Sequence, residues 1–123
     1  MSGVIRKSFD EPDEVRTPPM GRIDVVTLGG AKAARFTLQA GWHWAEHVKP
    51  IAGTPTCQAH HVGAVVAGRM RVSHPDGGEV EIGPGDAYDL QPGHDAWVVS
   101  DEPFVGYEFE SATAGTFAKP SDR

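Results

Sequence analysis

Between Arg22 and Phe109 the chain repeatedly alternates apolar and polar residues with a period of two, and glycines and prolines interrupt the pattern. Ala34, Phe36 and Leu38 alternate with Arg35, Thr37 and Gln39, as a half-buried strand requires. Met70 and Val72 alternate with Arg69 and Arg71, and Val80 and Ile82 with Glu79 and Glu81. The intervening Pro75-Asp76-Gly77-Gly78 presets one φ and tolerates positive φ at the others, which predicts a hairpin turn. Joining the two apolar faces pairs Val72 with Val80 and Met70 with Ile82, and sets Arg71 opposite Glu81. Val105, Tyr107 and Phe109 alternate with Gly106, Glu108 and Glu110 in a late strand. No stretch in this region has the apolar period of an amphipathic helix. The 15 Gly and 10 Pro supply frequent chain reversals, so an all-β fold is expected.

A length of 123 residues suits one domain with one core. Residues 1–20 carry charges of both signs with Pro12, Pro18 and Pro19, and read as an N-terminal arm that can lie across a neighbouring surface. Residues 21–117 read as the domain and 118–123 as a tail. The net charge of −6 leaves no basic stripe for a phosphate backbone, so nucleic acid is not an expected partner. No apolar run reaches the roughly 18–20 residues that span a bilayer. Arg6, Lys7, Asp10 and Glu11 do not suit a signal peptide. The single cysteine, Cys57, excludes an internal disulfide, and a cytoplasmic protein is expected.

Chemistry-bearing residues concentrate in three stretches. Gly-Trp-His-Trp-Ala-Glu-His runs from Gly41 to His47, Cys-Gln-Ala-His-His-Val-Gly from Cys57 to Gly63, and Gln-Pro-Gly-His-Asp-Ala-Trp from Gln91 to Trp97, after Gly85-Asp86. Together they resemble the two signature motifs of the cupin family, whose members are double-stranded β-helix (jelly-roll) barrels that often hold a metal. In the first motif a Gly is followed after five residues by a His, as Gly41 is by His47. The family's acidic ligand stands seven residues before a later Gly, and that position, counted from Gly68, is His61 here. In the second motif the expected His position holds Ala96. Counting back instead from the Asp101-Glu102-Pro103 turn gives His94, with the same strand parity as Ala96.

A second His of the first motif often precedes the acidic residue by four or five positions. Cys57 occupies one such place, and Lys49, a poor ligand, stands at the other location counted for that His. The resemblance thus implies a metal set of His47, His61 and His94, with Cys57 as a candidate fourth. Imidazoles with or without a thiolate favour zinc, iron, nickel or copper over magnesium or calcium. His61 shares a strand face with Gly63 and Val65, whereas His60 falls on the opposite face. His43 and His60 read as structural or surface residues, and His74 as an exposed turn residue. Trp42, Trp44 and Trp97 are candidates for the walls of a ligand pocket, or for core residues. Tyr88 and Tyr107 are packing residues whose hydroxyls could reach the same pocket. Asp95 either orients a ligand histidine or caps a turn.

The run Val62 to Ala67 is apolar on both faces and needs cover on both, which suggests a homodimer. The resemblance implies a divalent metal and a small organic ligand inside the barrel, with a dioxygenase or isomerase among the activities. A non-catalytic binding or sensing barrel, and a structural barrel with a decayed metal site, are the alternatives.

Overall fold

The computed structural model describes residues 3–109. Nine strands form among them: β1 (Glu14–Arg16), β2 (Gly21–Leu28), β3 (Ala31–Leu38), β4 (His61–Ala67), β5 (Met70–Ser73), β6 (Glu79–Ile82), β7 (Ala87–Leu90), β8 (Asp95–Val98) and β9 (Phe104–Phe109). They build a six-stranded sheet in the order β1-β2-β3-β9-β4-β7 and a three-stranded sheet in the order β6-β5-β8, every pairing antiparallel. The all-β jelly-roll expectation holds. Two four-residue helical turns, α1 (Trp44–His47) and α2 (Lys49–Ala52), interrupt it between β3 and β4. No helix among the described residues is long and apolar enough to cross a membrane.

Alternate side chains of the two sheets meet in one core. Ile23, Val25, Ala34, Phe36, Leu38, Val65 and Phe104 come from the large sheet, and Met70, Val72, Ile82, Ala96 and Val98 from the small one. The β5–β6 hairpin takes the register that its apolar faces dictate: Val72 opposite Val80, Met70 opposite Ile82, and Arg71 opposite Glu81. Val80 nonetheless stays half exposed, in the edge strand of the small sheet.

In β9 the inward face is Phe104, Gly106 and Glu108, while Val105, Tyr107 and Phe109 turn outward. The apolar alternation there marks the outer face, which the chain's own beginning partly covers. Phe9 packs its ring 5.1 Å from that of Tyr107, and Arg35 donates to the Phe9 carbonyl. Within the stretch 1–20, Phe9 and Asp10 thus lie on this chain's own sheet, and residues 14–16 pair with β2 as part of that sheet. The tail, 118–123, and the last residues of the stretch 21–117 lie outside the described residues.

Candidate metal centre

Three donors converge between the sheets. Cys57 precedes β4, His61 opens it and His94 leads into β8; all three are buried. Their ligand atoms lie within 4.8 Å of one another. Two of the donors are tied through their backbones. The Cys57 N–H donates to the His94 carbonyl at 2.9 Å, and the Gly93 N–H to the Cys57 carbonyl at 2.7 Å. His61 arrives from the start of β4, next to the edge strand β7 of the large sheet, and its side chain is buried.

The imidazoles are oriented from behind. His61 donates from Nδ1 to the buried Glu108 carboxylate at 3.0 Å, and its Nε2 lies 3.5 Å from Cys57 Sγ. His94 donates from Nδ1 to the Gln91 carbonyl at 2.7 Å. With each Nδ1 engaged, Nε2 is the ring nitrogen left to each imidazole for a ligand, the arrangement typical of metal-binding histidines. Glu108 is fixed in turn by Tyr88, whose hydroxyl donates to it at 2.7 Å. This contact passes over Gly63, which β4 pairs with both Tyr88 and Glu108. A Cβ at Gly63 would come 2.9 Å from Glu108 Cγ and 3.0 Å from the Tyr88 hydroxyl, and against the Tyr107 carbonyl. Only glycine leaves that passage open.

Charge follows the same chain of contacts. Burial by itself lowers the His61 pKa, but the Glu108 charge and the Cys57 sulfur outweigh it and raise it to about 10. Burial likewise disfavours a Cys57 thiolate, yet hydrogen bonds and charge from His61 and His94 bring the thiol down to about 6. The sequence alone names no partner that could activate this thiol; the fold supplies His61. Burial and the adjacent Glu108 push the Tyr88 hydroxyl up, so it remains a donor.

A cavity of about 30 Å3 lies beside the donors, walled by Phe36, Leu38, Trp42, Trp44 and Phe104 with Cys57, His61, His94, Tyr88 and Glu108. A wider groove of about 290 Å3 opens between the β5–β6 hairpin and the end of β7. Leu90 and His94 line both spaces.

Of the residues singled out in the sequence, Cys57, His61 and His94 are brought together, and Trp42 and Trp44 wall their cavity. His47 is not brought to this group. The motif spacing assumes an extended chain after Gly41, but the chain winds into α1, and His47 Nδ1 turns back to accept the His43 N–H at 3.1 Å. Trp97 does not line the cavity either; β8 turns it outward, its ring 5.4 Å from that of His43. Asp95 meets His43, with Oδ2 2.7 Å from Nε2, rather than a histidine of the cluster. His60 sits on the opposite face from His61, as its parity requires, beside Asp89. Ala96 faces inward with His94.

The sequence reading missed Glu108. Its sole signal was parity: it stands two residues beyond Gly106, opposite in face to Tyr107.

No protein-family model matches the sequence, and no curated protein does. Solved structures match over most of its length. A protein of unknown function from Rhizobium leguminosarum bv. viciae 3841 is 21% identical, with 89% of this chain and 97% of that one covered and a TM-score of 0.60. KdgF from Halomonas sp. is 18% identical, with 89% and 94% covered and a TM-score of 0.60. A cupin 2 conserved barrel domain protein from Salinispora arenicola CNS-205 is 16% identical, with 89% and 88% covered and a TM-score of 0.58. Identities this low carry the fold and not the activity. With two antiparallel sheets closed over an inward-facing histidine pair, this chain has the fold of the cupin barrels.

Proposed function

We propose that Cys57, His61 and His94 hold one divalent transition metal, and that the protein acts on a small organic molecule as a metal-dependent dioxygenase or isomerase. The observation that carries this reading is the engagement of both Nδ1 atoms, by Glu108 and by the Gln91 carbonyl, in two imidazoles whose ligand atoms lie within 4.8 Å of each other and of the Cys57 sulfur. A thiolate with two imidazoles suits zinc, iron, nickel or copper. Three protein donors leave positions open, where the bound ion would supply Lewis acidity or oxygen binding.

The chain's own residues divide the remaining work. Glu108 orients His61, and Tyr88 orients Glu108. Phe36, Leu38 and Trp44 keep bulk water from the donors. The inner cavity is too small for most organic molecules, whereas the outer groove approaches the usual size of a ligand site and meets the cavity at Leu90 and His94. Elemental analysis of protein purified without chelator should find close to one transition-metal ion per chain. Metal-free protein that stays so after reconstitution would sink the reading.

The small inner cavity favours a second reading, a non-catalytic binding or sensing barrel. A metal-saturated sample that binds small molecules at the groove without turnover would select it. The lone buried thiol suits a reducing compartment, and the cytoplasm is the proposed location. The proposed assembly is a homodimer through the outer face of β4, where Val62 is 41% and Val66 53% exposed beside Phe109 at 54%. Light scattering at micromolar concentration should give twice the chain mass, and a monomer would refute it.

A further inference from the structure

Trp42 and Trp44 each bury an indole N–H that meets no acceptor among the described residues. Both side chains wall the small cavity beside Cys57, His61 and His94, and both are more than nine-tenths buried. Buried polar atoms in folded proteins are nearly always paired. Two exceptions, two residues apart on one cavity, point to a partner that the described residues do not supply. An indole N–H is a donor only, so the missing partner is an acceptor.

Size narrows the choice further. The cavity measures about 30 Å3, against roughly 10–15 Å3 for a single water. A metal ion and one or two water-sized groups fill it. The surrounding Phe36, Leu38 and Phe104 are apolar and would strengthen a hydrogen bond to a charged acceptor by excluding water.

We propose that Trp42 and Trp44 are specificity-determining residues for a small oxyanion of about the size of formate, held between their indole N–H groups and the metal of the Cys57, His61 and His94 site. This rests on the metal reading. Without a cation, the Glu108 carboxylate and the Cys57 sulfur give an anion no reason to enter.

Cobalt-substituted protein separates the two ideas. A sulfur-to-cobalt charge-transfer band places the ion on Cys57; its absence overturns the metal reading and this inference together. With the band present, formate should shift the d–d spectrum and the larger butyrate should leave it alone. Trp42→Phe and Trp44→Phe, which keep an aromatic ring, should bind formate roughly tenfold more weakly at unchanged cobalt affinity. Trp97→Phe, outside the cavity, should match wild type.

A second measurement needs no substitution. In zinc-loaded wild-type protein, two indole N–H resonances should move downfield on adding formate. A cobalt spectrum indifferent to formate, Phe variants that bind it as tightly as wild type, or unmoved indole resonances overturn the inference and leave the metal reading standing.

Discussion

Asp24 and Glu108 are both carboxylates buried in the large sheet, 1% and 3% exposed, yet their surroundings assign them different work. Asp24 accepts from Arg22 at 2.8 Å and from Arg35 at 3.1 Å, and Arg35 reaches on to Asp10 and the Phe9 carbonyl. Guanidinium groups keep their protons and have no lone pair to offer. That cluster fastens the beginning of the chain to β2 and β3 and can do little else. Glu108 instead faces an imidazole and a phenol, and the imidazole passes its influence to the ring nitrogen on its far side. Burial of a charge is common to both; the chemistry of the partner decides whether it is a fastening or a tuning device.

The strongest break in this comparison comes at the histidine itself. His61→Ala should lower metal affinity by orders of magnitude, and metal analysis of the purified variant checks it directly. His94→Ala should do the same while retaining the fold, since it removes a side chain at the start of β8 and leaves the backbone bonds to Cys57 and Gly93 available. Unchanged metal content in either variant removes that residue from the site.

Exchanging the two carboxylates for their amides tests the contrast between them. Glu108→Gln should lower metal affinity by roughly 10–100-fold, the usual effect of losing a partner behind a ligand histidine. Asp24→Asn should leave that affinity alone but cost about 1–3 kcal/mol of folding stability, because a buried carboxylate loses its charge-assisted bonds to Arg22 and Arg35, whose own charges stay partly solvated. Equal effects of the two variants on metal binding would erase the distinction.

The pH dependence carries a sign. An imidazolium cannot ligate, so an incoming ion must displace the His61 proton, which Glu108 and Cys57 retain up to about 10. Metal affinity should therefore rise with pH by roughly tenfold per unit until that point. Below about 6 the Cys57 thiolate also protonates, and the dependence should steepen. An unperturbed imidazole would instead put the turning point at roughly 6.5. Chelator competition across pH distinguishes the two; a plateau beginning near the ordinary value means that Glu108 does not hold the proton.

The smallest expected effect belongs to His47→Ala. It removes an acceptor for the His43 N–H inside α1 and should leave metal content unchanged. Loss of metal in that variant would enlarge the site beyond the three converging donors.

Much of the barrel could be read before it was seen, and the reasons differ from strand to strand. The β5–β6 hairpin was legible because its turn chemistry and both apolar faces agree on one register. His61 was legible because a histidine between a glycine-spaced apolar run and a turn has only one inward parity. β9 misled because it is covered on both sides, by the core and by Phe9, so its apolar residues do not mark the interior. Glu108 hid behind that ambiguity. His47 misled for a different reason: the motif counts residues, while α1 shortens the path and rotates the side chain away. Trp97 was grouped with Trp42 and Trp44 by nearness in sequence to histidines, and strand parity separates them.

The paired backbone bonds between Cys57 and the Gly93–His94 segment have a consequence for how such a chain can change over time. They clamp the far end of the loop that follows α2, and Gly53, with φ of 74°, ends that helical turn in solvent. The exposed residues Gly53 and Pro55 therefore lie between two anchorages that do not depend on them. Insertions or deletions there alter what the outside of the barrel presents while the sulfur and its neighbouring imidazole keep their positions. The centre is held by strands, and the loop beside it is free to diversify.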